Sequence, residues 1–237
     1  MSGSVNANPK APIGLPSAER RGPRGSVRSD ASLSEFAYRT VYDLILSRQL
    51  PGGEVIVEGR LAERLNVSRT PLREALGRLE GEGLLVKQAS RSFSVRSVTA
   101  REFFESLKVR EVLESEAAEL AVGRISMDRL AETRRMVVQA GRDPVQGRSH
   151  WQTDNRLHAL FAEASGNAVL AETIGRLRIT TQMFEIRRPL ERVDADCTEH
   201  LVILNELAGN DRRMARRAVL QHLKNLQTDV MALLSGD

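Results

Sequence analysis

The stretch Leu61-Ala62-Glu63-Arg64-Leu65-Asn66-Val67-Ser68-Arg69-Thr70-Pro71-Leu72-Arg73-Glu74-Ala75-Leu76-Gly77-Arg78-Leu79 decides how the N-terminal part of this chain folds. Leu61 and Leu65 share one face of a short helix, and Leu72, Ala75, Leu76 and Leu79 share one face of a second. Asn66-Val67-Ser68 between them reads as a turn, because Asn tolerates the left-handed region and Val67 pins the turn to the core. Ser68 or Thr70 is placed to cap the second helix, and Pro71 falls where a missing N–H costs nothing. Helices joined by so short a turn cross steeply, as in a helix-turn-helix. Ser68, Arg69, Thr70 and Arg73 then lie near the N-terminus of the second helix, where a recognition helix meets base edges and phosphates. A pair of packed helices with solvated arginines is the plainer alternative, and the flanks weigh against it.

Upstream, Tyr38 to Leu50 reads as a helix with Tyr38, Val41, Tyr42, Ile45 and Leu46 on one side, stopped by Pro51-Gly52-Gly53. Downstream, Leu84-Leu85-Val86-Lys87 and the alternating run from Phe93 to Val98 read as a hairpin around Ser90-Arg91-Ser92. Three helices and a two-stranded wing make a winged helix-turn-helix over residues 31–97. Arg60 and the wing residue Arg91 are weaker phosphate candidates. Residues 1–30 are rich in Gly, Pro, Ser and Ala without periodicity and read as a disordered tail. Its Arg20, Arg21, Arg24 and Arg28 could follow phosphates, although a solubilising role is the plainer reading.

Charge and composition set limits. The net charge of +4 is uneven: residues 1–30 carry five basic residues against two acidic, residues 31–97 ten against eight, and residues 98–237 twenty against twenty-one. The positive excess thus falls in the half assigned to DNA, as phosphate binding requires. No apolar run approaches the roughly 20 residues that span a bilayer, and no apolar signal core opens the chain, so no membrane association is expected. The single cysteine, Cys197, permits no internal disulfide, which points to a reducing, cytoplasmic setting.

Residues 98–237 change character. Thr99-Ala100-Arg101-Glu102 has the form of a capping box, and Phe103, Leu107, Val109, Val112, Leu113, Ala117, Leu120 and Ala121 repeat behind it at helical spacing. Ser126 caps a second helix with Leu130, Val137 and Val138 inward. Further helices run from about Ser149 to Ala164, Asn167 to Arg187, Asp194 to Ala208 and Asp211 to Leu234. With no strand pattern, this is an all-helical bundle of about six helices, and the chain as a whole is mainly α. His158 follows Asp154 by one turn, so carboxylate and imidazole can face one metal ion. His200 borders the inward face of its helix beside Leu204, and His222 precedes Leu226 by one turn. Three interior imidazoles and a carboxylate are expensive to bury without a partner, and a cation solves that. Zinc, nickel and manganese all suit such a donor set. His150 matches nothing and reads as solvated.

Leu50-Pro51-Gly52, Leu61-Ala62, the run from Val67 to Leu76, Leu79 and Glu82-Gly83-Leu84 together resemble the DNA-binding domain of the GntR family of bacterial transcription regulators. Asn66 stands where Gly is usual, and Ser92 stands where the wing usually carries Gly. The motifs Val109-Arg110-x-x-Leu113-Glu114, Asp154-x-x-x-His158, Ala164-Ser165-Gly166-Asn167, Glu199-His200, Asp211, Ala215 and His222-Leu223 resemble the FCD domain of the FadR-like branch, and six helices suggest its VanR-like subgroup. The resemblance implies a homodimer on double-stranded operator DNA, a repressor as the expected sense, and one divalent metal ion on Asp154, His158, His200 and His222. It also implies a small carboxylate effector, with Arg110 as its counter-charge unless Arg110 merely pairs with Glu114. Two alternatives use the same residues, a metal-dependent hydrolase and a direct metal sensor. No acid is placed by motif as a general base, which weighs against the hydrolase. A long-chain acyl ligand, as in metal-free relatives, is disfavoured by the intact ligand set.

Overall fold

The structure, a computed structural model, describes residues 30–88, 92–142, 148–187 and 192–236. The tail arginines and Arg91 lie outside these residues. The N-terminal part runs α1 (Asp30–Leu46), β1 (Val55–Val57), α2 (Glu58–Leu65), α3 (Arg69–Gly81), β2 (Leu85–Lys87) and β3 (Ser92–Val95). Val41, Ile45, Leu61, Leu65, Leu72, Leu76 and Leu79 are buried together, which is the apolar face read from the sequence closing on itself. Asn66 ends α2 at φ 52°, so the left-handed position that would favour glycine is one that asparagine tolerates. Ser68 holds the extended N-cap position of α3, but its hydroxyl makes no capping hydrogen bond.

Two expectations change here. The first helix begins at Asp30 rather than Tyr38 and ends at Leu46 rather than Leu50, because Arg48 already turns left-handed at φ 59°. The wing is a three-stranded antiparallel sheet of order β1-β3-β2, with Ile56 opposite Phe93 and Val86 opposite Ser94. β1 alternates exposed, buried and exposed over only three residues, too short a run to register as a strand in the sequence. Gly83 takes φ +84° to reverse the chain from α3 into β2, a conformation that β-carbon-bearing residues resist.

The C-terminal part is α4 (Ala100–Ala121), α5 (Met127–Ala140), α6 (Arg148–Ala164), α7 (Ala168–Arg187), α8 (Val193–Ala208) and α9 (Arg212–Ser235). Thr99 and Glu102 close the capping box and Ser126 caps α5, as the sequence predicts, and Asn167 and Asp211 also accept from a backbone N–H of the helix that follows. α4 packs against α6, α7 and α9, while α5 packs against α6 and α8.

The inner face of α4 is the surprise. Val109 and Val112 are 44% and 57% exposed, and Arg110, Glu111, Glu114 and Ser115 are buried in their place. Val138 of α5 also faces outward. The apolar period of α4 fails there because its inner face lines a polar chamber rather than a hydrophobic seam. Among the described residues, no helix is long and apolar enough to cross a membrane.

Candidate metal centre

Asp154 and His158, one turn apart on α6, meet His200 of α8 and His222 of α9 inside the bundle. One donor atom from each lies within 4.8 Å of every other. Nε2 of His158 and Nε2 of His200 are each 3.5 Å from Asp154 Oδ1. All three imidazoles are almost completely buried. The Nε2 atoms of His158 and His200 have no hydrogen-bond partner. Leaving two such atoms bare costs about 1–3 kcal/mol each. Their convergence on a carboxylate oxygen is the arrangement a divalent cation satisfies, so the donor set fits a metal.

Neighbouring carboxylates hold the ligands in place. The Nδ1 of His158 contacts Glu114 Oε2, and the Nδ1 of His222 donates to Glu199 Oε2 at 2.7 Å. Each contact fixes the tautomer and leaves Nε2 free to face inward. Arg178 Nη2 donates to Asp154 Oδ2 at 2.5 Å, which leaves Oδ1 for the imidazoles. Burial, then Arg178, lowers His158 to about 4, and burial also holds His200 well below the ordinary histidine range. Both rings are therefore neutral at pH 7, as metal ligands must be. Burial alone would push Asp154 upward, but Arg178 and the facing imidazoles outweigh it and keep the carboxyl well below its usual range.

Arg110 is buried and donates to Glu114 Oε1 at 2.6 Å and to Thr181 Oγ1 at 2.7 Å, so the ion pair weighed in the sequence is present. The same guanidinium also lines a polar chamber beside the cluster, with Arg178, Gln182, Glu185 and His222. The chamber encloses only about 10 Å³, room for roughly one water. Glu185 is pushed up to about 8, by burial first and then by Asp154 and Asp196.

His150 is a correction. It is buried rather than solvated, with Nε2 3.3 Å from Asp196 Oδ2. A second carboxylate–imidazole group, Asp196, Glu199 and His222, also has metal-like spacing. Arg192 fills it, with Nε 2.9 Å from Asp196 Oδ1 and Nη2 2.7 Å from Glu199 Oε2. Arg178, Arg192 and Glu185 carry no sequence motif, because their partners come from other turns and helices.

In the N-terminal part, Arg60, Ser68, Arg69, Thr70 and Arg73 are all exposed, at the starts of α2 and α3. Arg73 is bound by the buried Glu58, with Nη2–Oε2 2.8 Å. The Arg69 guanidinium lies 3.5 Å from where a β-carbon would stand on Gly59, over that bare backbone.

Residues 33–95 match the family model "Bacterial regulatory proteins, gntR family", and residues 105–225 match the FCD domain, half of the chain by itself. The chain belongs to the gntR family and carries an FCD domain. The Nta operon transcriptional regulator of Aminobacter aminovorans is 28% identical over 187 residues, spanning 78% of this chain and 88% of that protein. The Exu regulon transcriptional regulator of Escherichia coli K12 is 29% identical over 208 residues, spanning 79% and 80%. The solved structure of E. coli McbR/YncC shares the fold, with a TM-score of 0.67 at 23% identity over 86% of this chain and 98% of that one. This regulator is thus a DNA-binding transcription factor rather than an enzyme, and the hydrolase reading is not favoured.

Proposed function

We propose that this regulator binds operator DNA as a homodimer in the cytoplasm, holds one divalent ion on Asp154, His158, His200 and His222, and senses a small carboxylate in the chamber beside it. The observation that carries this reading is the pair of unpartnered, buried Nε2 atoms of His158 and His200, aimed with Asp154 at one point. Bound there, the ion would supply positive charge and open coordination positions for a carboxylate oxygen. The chain's own groups then orient the effector. Arg110 offers a guanidinium from the same chamber for a second acidic group. We assign Arg69 and Thr70 to base edges, Arg73 to a base edge or phosphate beside them, and Arg60 and Ser68 to phosphates.

A chamber of one water's size has to expand to admit an effector, and α7 is the helix that would feel it. It contributes Arg178, Thr181 and Gln182 to the chamber. On the DNA-binding side, Ile179 comes within 3.8 Å of where a β-carbon of Gly83 would stand, and Met183 and Ile186 line a small pocket with Ile45 and Leu50. An effector shifts operator affinity only by its different affinity for the two arrangements, and a tenfold shift needs about 1.4 kcal/mol. Repression is the proposed sense, since an occupied operator excludes other proteins by volume. A relative is named Glc operon transcriptional activator, so in vitro transcription from an operator-bearing template is the decisive assay of that sense.

Elemental analysis of protein purified without chelator should find about one zinc, nickel or manganese per chain. His200→Ala and His222→Ala should each lower that content at least tenfold while keeping the helical circular dichroism. A metal-free wild type, whose variants behave identically, would remove the assignment.

A further inference from the structure

A second cavity, larger than the chamber, opens between the two halves of the molecule. It encloses about 400 Å³, within the range of small-molecule sites, against about 10 Å³ for the chamber. Tyr38, Tyr42 and Leu84 line it from the DNA-binding side, and Ala159, Ile174 and Ile179 from α6 and α7. Its floor is shared with the chamber: Arg178 and Gln182 line both. The Gln182 amide nitrogen is buried without a hydrogen-bond partner. Arg178 donates from Nη2 to Asp154 and Asn155, and its guanidinium also lines the cavity. Two carboxylates, Glu82 and Glu163, also line it, paired with Arg78 and Arg129.

We propose that this cleft is a second ligand site, separate from the metal-side chamber, and that it takes a monocarboxylate with an apolar body. The carboxylate meets the Arg178 guanidinium and the Gln182 amide nitrogen, whose buried N–H left bare is otherwise unfavourable. The apolar body covers Leu84, Ile174 and Ile179. Arg178 is the one cation among the described lining residues, so a second negative charge finds no partner there, which selects against dicarboxylates of the same length. Because the walls come from both halves, an occupant favours the domain arrangement that shapes the cleft, and it changes operator affinity through that preference.

The test uses full-length, metal-containing protein and sodium octanoate as probe, with calorimetry for binding and fluorescence anisotropy for operator affinity. Octanoate should bind, while octanamide and the dicarboxylate suberate should bind at least tenfold more weakly. Gly175 of α7 lines the cleft, and a β-carbon there meets nothing within 4 Å, so Gly175→Phe adds a ring from a position whose β-carbon stands in open space. That variant should lose octanoate binding at least tenfold, together with any octanoate effect on operator affinity, and retain its metal. Gln182→Leu should weaken octanoate in the same direction. Chelator-stripped wild type should still bind octanoate, which separates this site from the metal-side one. The proposal is overturned if the wild type shows no heat with millimolar octanoate, if Gly175→Phe binds it as the wild type does, or if metal removal abolishes binding.

Discussion

Glu185 shows how the chamber sets the chemistry of a single residue. In water its carboxyl would ionise near 4.5, yet inside the bundle it rises to about 8, through burial and the facing charges of Asp154 and Asp196. Between those values the folded chain keeps a proton that the unfolded chain releases. Its contribution to stability is therefore present below about pH 4.5 and lost as pH rises through 8. Glu185→Gln mimics the neutral acid. In metal-stripped protein its denaturation midpoint should match the wild type near pH 5 and exceed it near pH 8.5, with urea unfolding at both pH values as the measurement. A variant that is less stable at pH 8.5 than the wild type would show that Glu185 is ionised and paired. Residues of this kind were the hardest to see in the sequence. Asp154 and His158 were legible because a spacing of four fixes a shared helix face. His200 and His222 were legible through their apolar neighbours. Glu114 and Glu199 were visible only as members of the motifs around Arg110 and His200, without their role, while Arg178 supports Asp154 from another helix and His150 is buried against Asp196, so no local pattern announces those two.

At the scale of elements, α3 and α4 contrast. Every apolar position read for α3 is buried, since a helix packed on one hydrophobic core keeps a clean 3.6-residue period. α4 loses that period over Val109 to Ser115 because its inner side faces charged groups, so reading its valines inward failed for a functional reason. The outer side of α3 also separates two of its three arginines, Arg69 and Arg73. Arg69 makes no ion pair among the described residues, whereas Arg73 is the partner of Glu58, which is 5% exposed. Arg69→Ala should therefore lower operator affinity by about 1–3 kcal/mol at fixed salt and leave thermal stability unchanged. Arg73→Ala should lose operator affinity and also lower the melting temperature, because it strands the buried Glu58 carboxylate. Anisotropy titrations beside thermal melts separate the two effects. An Arg69→Ala protein that binds operator like the wild type would remove the base-reading role from this helix.

The proposed homodimer would present two recognition helices to one duplex: a single winged domain spans few base pairs, and two-fold proteins read half-sites about one helical turn apart. The outward valines of α4 supply a reason for pairing through the helical half. Val109 and Val112 lie three residues apart on one face, opposite the buried Arg110 and Glu114, and an apolar face of this kind is what a second copy would cover. A stable dimer usually buries about 1,200–2,000 Å² in total, so these two side chains can be only the centre of the contact. Val112→Glu places a charge at that centre without touching the core, the Asp/His cluster or α3. Sedimentation equilibrium at micromolar concentration should give a dimer for the wild type and a shift toward monomer for Val112→Glu. Operator affinity should fall with it, because each monomer then pays separately the entropy of binding its half-site. A wild type that stays monomeric both free and on operator DNA would rule out the paired arrangement. A dimer unaffected by Val112→Glu would instead place the contact on another face of the bundle.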